Sequence, residues 1–315
     1  MRNLDFAASQ AKAPFRDVQE VLGSLEQAKT AMRALGKYVP VDLVRELWSQ
    51  NREPVPGGEV RELSILFTDL EGFTALAEKL SPDELARRLG LYLETMTEAI
   101  RSCGGTIDKF IGDAVMALWN APTLRANHAR LACRAILRCR AATRELYRSP
   151  AWQGVPPLRT RFGLHRDRVM VGHFGAPERL SYTALGDGVN LAARLESLCK
   201  QYGVDAIVSA AAAEEAQDEF ELRLLDRVAV KGKTAGVLVY ELLGAKGEQI
   251  PGLEAARAYE VAFQDYSRRD FTSAIARLEQ HPSDPPSRAL ADRCRSLIAQ
   301  PPPPHWDGVH VAGTK

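Results

Sequence analysis

The chain has 315 residues, enough to bury one large core with smaller segments attached. Lys and Arg total 41 against 40 for Asp and Glu, a net charge of +1, so no strong field favours nucleic acid or an anionic membrane surface. No apolar run of about 18 residues is present to span a bilayer, and the N-terminus lacks the basic-then-apolar secretory pattern.

Residues 16 to 35 read as a helix. Val18, Val21, Leu25, Ala28, Met32 and Leu35 recur at alternating steps of three and four, a short heptad seam. Two readings stay open: a helix packed on its own domain, or a parallel coiled coil that joins two protomers and carries a signal. Pro40 opens a second short helix reaching Ser49. Pro54, Pro56, Gly57 and Gly58 mark a linker.

Strands and helices then alternate. Leu63 to Phe67 reads as a buried central strand. Ser81 and Pro82 start a helix as N-cap and first helical residue, and the helix stops at Gly104-Gly105. Thr106 to Phe110 and Ala114 to Trp119 form a hairpin around Gly112-Asp113. A helix follows from Arg125 to Tyr147. Arg159 to His165 and Arg168 to His173 read as a strand pair, with the charged His165-Arg166-Asp167-Arg168 between them. His165 reads as a packed core histidine. Gly186 to Tyr202 is helical, ending at Gly203. Strands at Ala206 to Ser209, Leu222 to Val230 and Val237 to Leu242 close the domain. The interleaving suggests an α/β or α+β sheet covered by helices. Residues 252 to 299 read as a helix pair like one tetratricopeptide repeat, and Pro301 to Pro304 begin a tail expected to be disordered. The five cysteines, Cys103, Cys133, Cys139, Cys199 and Cys294, fit no metal spacing and read as reduced thiols of a cytosolic protein.

Three motifs carry chemistry. In Phe67-Thr68-Asp69-Leu70-Glu71-Gly72-Phe73-Thr74 an apolar strand runs into a carboxylate, and Gly72 lets the backbone turn. In Asp108-Lys109-Phe110-Ile111-Gly112-Asp113 a second carboxylate sits at a turn. Two carboxylates at strand ends suit hard cations, which bind through one or two carboxylates plus substrate phosphates. Backbone N–H groups around Phe73 and Thr74 suit phosphate oxygens. The plainer reading makes Asp69 a turn or helix cap and Asp113 a hairpin residue accepting a positive φ. In the third motif, Tyr182 to Glu196, Asn190 and Arg194 are four apart and share a helix face; any surface polar pair would look the same.

Together these motifs resemble the class III nucleotidyl cyclases, the adenylate and guanylate cyclase family, with a catalytic domain over residues 59–244. The resemblance implies an α+β fold with a ferredoxin-like, palm-type βαββαβ core. Residues 1–58 would be a helical linker, 252–300 a helical appendage and 301–315 the tail. It implies an adenylate cyclase that converts ATP to 3′,5′-cyclic AMP and pyrophosphate, using two Mg²⁺ or Mn²⁺ ions about 4 Å apart. Asp69, Asp113 and the Leu70 carbonyl would hold the metals. Asn190 would orient the ribose and Arg194 would neutralise charge on the transferring phosphate. Lys231 and Lys233 match a basic element near the outer phosphates.

Lys109 and Thr183 occupy the family's purine-reading positions. Lys only donates and a Thr hydroxyl can accept, which suits adenine N1 and its 6-amino group. A hydroxyl also donates, so a guanylate or dual-specificity cyclase stays open, as does a silent nucleotide-binding regulatory module. Thr in place of the commoner Asp resembles a subgroup with bicarbonate-responsive members. The family builds its sites between protomers, which implies a homodimer with two equivalent sites. An upstream sensor domain or protein would supply the signal and any membrane association; the catalytic chain itself would be cytoplasmic.

Overall fold

In the computed structural model the described residues are 16–36, 38–40, 43–45, 47, 53–176, 178–229, 236–303, 306 and 308–311. They fall into two compact units, residues 1–57 with 172–182, and residues 58–171 with 183–315. Among the described residues no helix is long and apolar enough to cross a membrane.

The first unit carries helix α1, Arg16–Leu35. Its heptad positions Val18, Val21, Leu25, Ala28 and Met32 are exposed among the described residues. Of the short helix read after Pro40, residues 43–45 and 47 are helical, and the rest lies outside the described residues.

The second unit begins at Gly58 within β1, Gly57–Glu71, whose centre Leu63, Ser64, Ile65 and Leu66 has no solvent exposure. A strand buried on both faces reads as a near-continuous apolar run, here interrupted at Ser64. The short helix α2, Phe73–Ala77, follows Gly72, which takes a left-handed φ of 82° that a side chain would resist. Helix α3, Pro82–Ser102, starts where Ser81 accepts a hydrogen bond from the Glu84 N–H at 3.3 Å, a cap worth about 1 kcal/mol. Strands β2, Thr106–Ile111, and β3, Ala114–Trp119, form the hairpin. Helix α4, His128–Arg148, then leads to β4, Arg159–Ala176.

This β1-α3-β2-β3-α4-β4 run is the expected βαββαβ core of an α+β fold, with sheet order β2-β3-β1-β4. The two helices share one core with the sheet: Tyr92, Met96 and Ile100 of α3 meet Ala132, Ile136 and Cys139 of α4 over Leu66, Phe162 and Leu164. Each fully buried Leu, Ile, Met or Phe side chain among them contributes about 1.5–3 kcal/mol.

β4 departs from the sequence reading. The expected strand pair is one continuous strand through His165 to Arg168, and the pairing partner is β5, Arg179–Leu185. No Gly or Pro interrupts residues 164–171, and Val169 and Val171 keep facing inward. The charged residues therefore sit on a strand, not in a turn.

Helix α5, Asp187–Tyr202, lies against β4 at Gly163. A Cβ there would stand 2.2 Å from the Glu196 nitrogen and 2.3 Å from the Ala192 oxygen, so only glycine admits the helix this closely. Beyond β4 the sheet continues through β6, Ala206–Ser209, then β8, Val237–Ala245, then β7, Phe220–Ala229. β6 runs parallel to β4, and β8 antiparallel to both β6 and β7. Helix α6, Ala210–Ala216, was not foreseen.

Residues read as one helix pair form three helices: α7, Leu253–Ser267; α8, Phe271–Leu278; and α9, Pro285–Ala299. They build a second core in which Tyr259, Phe263, Tyr266 and Leu290 meet Leu195 and Tyr202 of α5 and Leu225 of β7. The tail expected to be disordered is ordered in part. Trp306 stacks edge-on to Tyr266 at 5.2 Å, and β9, His310–Val311, pairs in parallel with Val228 and Ala229.

Candidate active site

Asp69 lies near the end of β1, and Asp113 is the second residue of the two-residue β2–β3 turn. The turn's positive φ, 65°, falls on Gly112 and not on Asp113. Gly72, not Asp69, is the N-cap of α2. Asp69 is thus a strand residue and not a helix cap, while Asp113 is a hairpin-turn residue, as the plainer reading has it, without the positive φ. A backbone bond ties the Asp113 side chain to β1 beside Asp69: the Leu70 N–H donates to Asp113 Oδ2 at 3.1 Å. Burial pushes the Asp113 carboxyl above its usual range, and the negative charge of Asp69 adds to the rise.

A cation not singled out from the sequence completes this cluster. Arg161 on β4 donates to Asp69 Oδ2 and, at 2.8 Å, to Glu196 Oε1 on α5. Glu71 lies 4.0 Å from the same guanidinium. Burial pushes Glu196 up, with Asp69's charge acting in the same direction and Arg161 opposing it. The sequence held one signal for Arg161. It is two residues from Gly163 and so shares that residue's face of β4, the face that receives α5.

Asn190 and Arg194 project from the exposed side of α5, while Leu191, Leu195 and Cys199 anchor the opposite side. Phe73 packs its ring on the first core, so its side chain is structural, and Thr74 follows in the first turn of α2. Lys231 and Lys233 lie outside the described residues. His165 is buried with Nδ1 2.8 Å from Ser209 Oγ, as a packed core histidine would be.

Lys109 and Thr183 come together through a third residue. The β2–β3 register shifts between Ile107 and Lys109, so Asp108 is the extra residue of a bulge. Bulges re-aim side chains, often beside active sites. Asp108 is 2% exposed and lies 3.6 Å from the Lys109 ammonium, which is 44% exposed. Thr183 on β5 donates its hydroxyl proton to Asp108 Oδ2. Burial pushes Asp108 up, against the Thr183 hydroxyl, the Lys109 charge and the Ala184 N–H. The Asp108 and Asp69–Asp113 clusters share no hydrogen-bond partner among the described residues.

The metal fit follows from this donor set. Among the described residues no three His, Cys, Asp or Glu side chains gather as a metal cage. Two carboxylates and a backbone carbonyl fit hard cations that keep substrate oxygens as their remaining ligands, as Mg²⁺ does. The mutual charge of Asp69 and Asp113 is what such a cation would relieve.

The α+β core, the acidic pair and the polar face of α5 define a nucleotide-handling catalytic domain. Residues 55–244 match the family described as the adenylate and guanylate cyclase catalytic domain, and the chain belongs to it. Adenylate cyclase 1 of Rhizobium meliloti is 34% identical over 245 residues, 78% of this chain and 37% of that protein. The chain thus spans little more than a third of that relative. The adenylyl cyclase CyaB of P. aeruginosa superposes with a TM-score of 0.57 at 31% identity, over 62% of this chain and 100% of that one. The guanylyl cyclase Cya2 does so with a TM-score of 0.57 at 31% identity, over 62% and 98%.

Proposed function

We propose that this chain is an adenylate cyclase, forming 3′,5′-cyclic AMP and pyrophosphate from ATP at two equivalent sites shared by a homodimer. The observation that carries the reading is the division of the site residues within one chain. Asp69, Asp113 and Arg161 form one cluster; Asp108, Lys109 and Thr183 form another that shares no hydrogen-bond partner with it among the described residues. A partner copy bringing its second cluster to the first cluster of this one would complete a site, and two-fold symmetry makes two of them. The exposed apolar positions of α1 support the coiled-coil reading, which would hold the copies side by side.

Asp69, Asp113 and the Leu70 carbonyl would hold the divalent ions. Those ions, when bound, would lower the pKa of the ribose 3′-hydroxyl and neutralise the departing phosphates. Arg161 is already half of a charge pair with Asp69; a metal bound to Asp69 would free its fork of N–H donors for phosphate oxygens. Glu196 then keeps the guanidinium in place. Asn190 would fix the ribose, and Arg194 would meet charge developing on the α-phosphate. Lys109 would donate to adenine N1 and Thr183 would accept from the 6-amino group. The activity fits a cytoplasmic signalling enzyme under the control of an upstream sensor.

The test is product analysis after incubating purified protein with Mg²⁺ or Mn²⁺ and either ATP or GTP. Cyclic AMP from ATP is the expected product. Cyclic GMP as the main product would keep the cyclase and replace the substrate. No cyclic product from a folded dimer would favour a silent regulatory module.

A further inference from the structure

The base argument has one ambiguity, because a free Thr hydroxyl can donate as well as accept. Adenine carries a donor at position 6 and guanine an acceptor. A hydroxyl free to rotate would satisfy either.

In this chain the hydroxyl is not free to rotate. Asp108 is the bulged residue of β2, its side chain is 2% exposed, and Thr183 on β5 donates to its Oδ2. The Ala184 N–H bonds to the same carboxyl, and the Lys109 ammonium lies 3.6 Å from Oδ1. All three neighbours are donors, so the carboxyl oxygens that face them accept. The single proton of the Thr183 hydroxyl is therefore committed to Asp108, and its lone pairs are what remain for a ligand.

We infer that Asp108 is a positioning residue that sets base choice, turning Thr183 into an obligate acceptor that matches the 6-amino group of adenine and is mismatched to the 6-oxygen of guanine. The inference rests on the cyclase function proposed above and on Lys109 and Thr183 meeting the base.

The structural alternative is that Asp108 merely ties β2 to β5. A double-mutant cycle separates the two. In Asp108→Asn the amide oxygen can still take the Ala184 N–H, which turns the amide N–H₂ toward Thr183 and releases the hydroxyl proton. The ratio of kcat/KM for ATP over GTP is expected to fall about tenfold, on the scale of one hydrogen bond. The same substitution in a Thr183→Val background is expected to leave the ratio where Thr183→Val alone puts it, since no hydroxyl remains to be oriented. Asp108→Ala, which removes the acceptor and adds no donor, is measured alongside. Thermal unfolding identifies the variants that fold.

An unchanged ratio in folded Asp108→Asn and Asp108→Ala, from a wild type that prefers ATP, would overturn the inference and leave the cyclase reading intact. An equal fall with and without the Thr183 hydroxyl would also overturn it, assigning Asp108 a structural role. Wild-type protein that cyclises neither nucleotide would overturn the cyclase reading itself, and this inference with it.

Discussion

Arg293 on α9 donates to Asp226 on β7 at 2.6 Å, and Tyr202 at the end of α5 donates to the same oxygen at 2.6 Å. The Asp226 side chain has no solvent exposure and that of Arg293 has 15%. This network fastens the C-terminal helices to the sheet and to the helix that carries Asn190 and Arg194. Breaking one side of a buried ion pair leaves an uncompensated charge. Arg293→Met is expected to cost about 3–5 kcal/mol of unfolding free energy in urea titration. Adding Asp226→Asn should recover part of that loss. A single variant within about 0.5 kcal/mol of wild type would mean that the pair does not brace the domain.

Arg161 joins Asp69 to Glu196 and so links the metal-ligand candidates to α5. Arg161→Ala should lower kcat by about 10²–10³-fold, the effect of removing a preorganised charge partner. Arg161→Lys should rescue little, because an ammonium lacks the planar fork that spans two carboxylates. Full activity in a folded Arg161→Ala protein would remove this residue from the site.

The five cysteines are all buried and free. Burial pushes Cys199 up to about 12 and Cys294 up to about 11. Only thiolates react readily. A chromogenic disulfide reagent at neutral pH should therefore label the native protein negligibly and all five thiols once urea unfolds it. Rapid native labelling with loss of activity would place a reactive thiol in or near the site.

Two groups tie stability to pH in the same direction. Burial pushes His128 below its ordinary 6.5, and the hydrogen bond from Arg166 holds Glu62 below 4.5. Each folded-state pKa is depressed, so the unfolded chain binds more protons and stability falls as pH falls. The His128 contribution is complete above 6.5 and is lost as pH drops through its folded value. The Glu62 contribution is lost below 4.5 in the same way. Burial raises Asp108, Asp113 and Glu196, which acts in the opposite direction. Each contribution is therefore read as the wild-type-minus-variant difference in unfolding free energy. That for His128→Asn should shrink as pH falls below 6.5, and that for Glu62→Gln as pH falls below 4.5. A difference for His128→Asn that does not change with pH would contradict the lowered pKa of the buried histidine.

The fold core was legible because its signals are local. Ser81-Pro82 starts a helix, Gly112-Asp113 turns a hairpin, and Leu63 to Phe67 is an apolar run of strand length. The continuous β4 was not legible. Four consecutive charged or titratable residues, His165 to Arg168, look like a turn, and sheet pairing of β4 together with burial of His165 and Val169 keeps them extended. Arg161 and Asp108 were missed for a related reason. Their partners Asp69 and Thr183 are 92 and 75 residues distant in sequence, and no local spacing encodes such a pair. The third C-terminal helix went unread because Pro285 and Pro286, which suit its first turn, also look like a break.

The central claim is that two chains share each site, and mixing inactive variants tests it most directly. Asp69→Ala and Arg194→Ala homodimers should each be folded and inactive. After subunit exchange, heterodimers carry one intact site, and cyclic AMP production should rise toward about a quarter of wild type. No recovery, with exchange confirmed by differential tagging, would contradict the shared-site dimer.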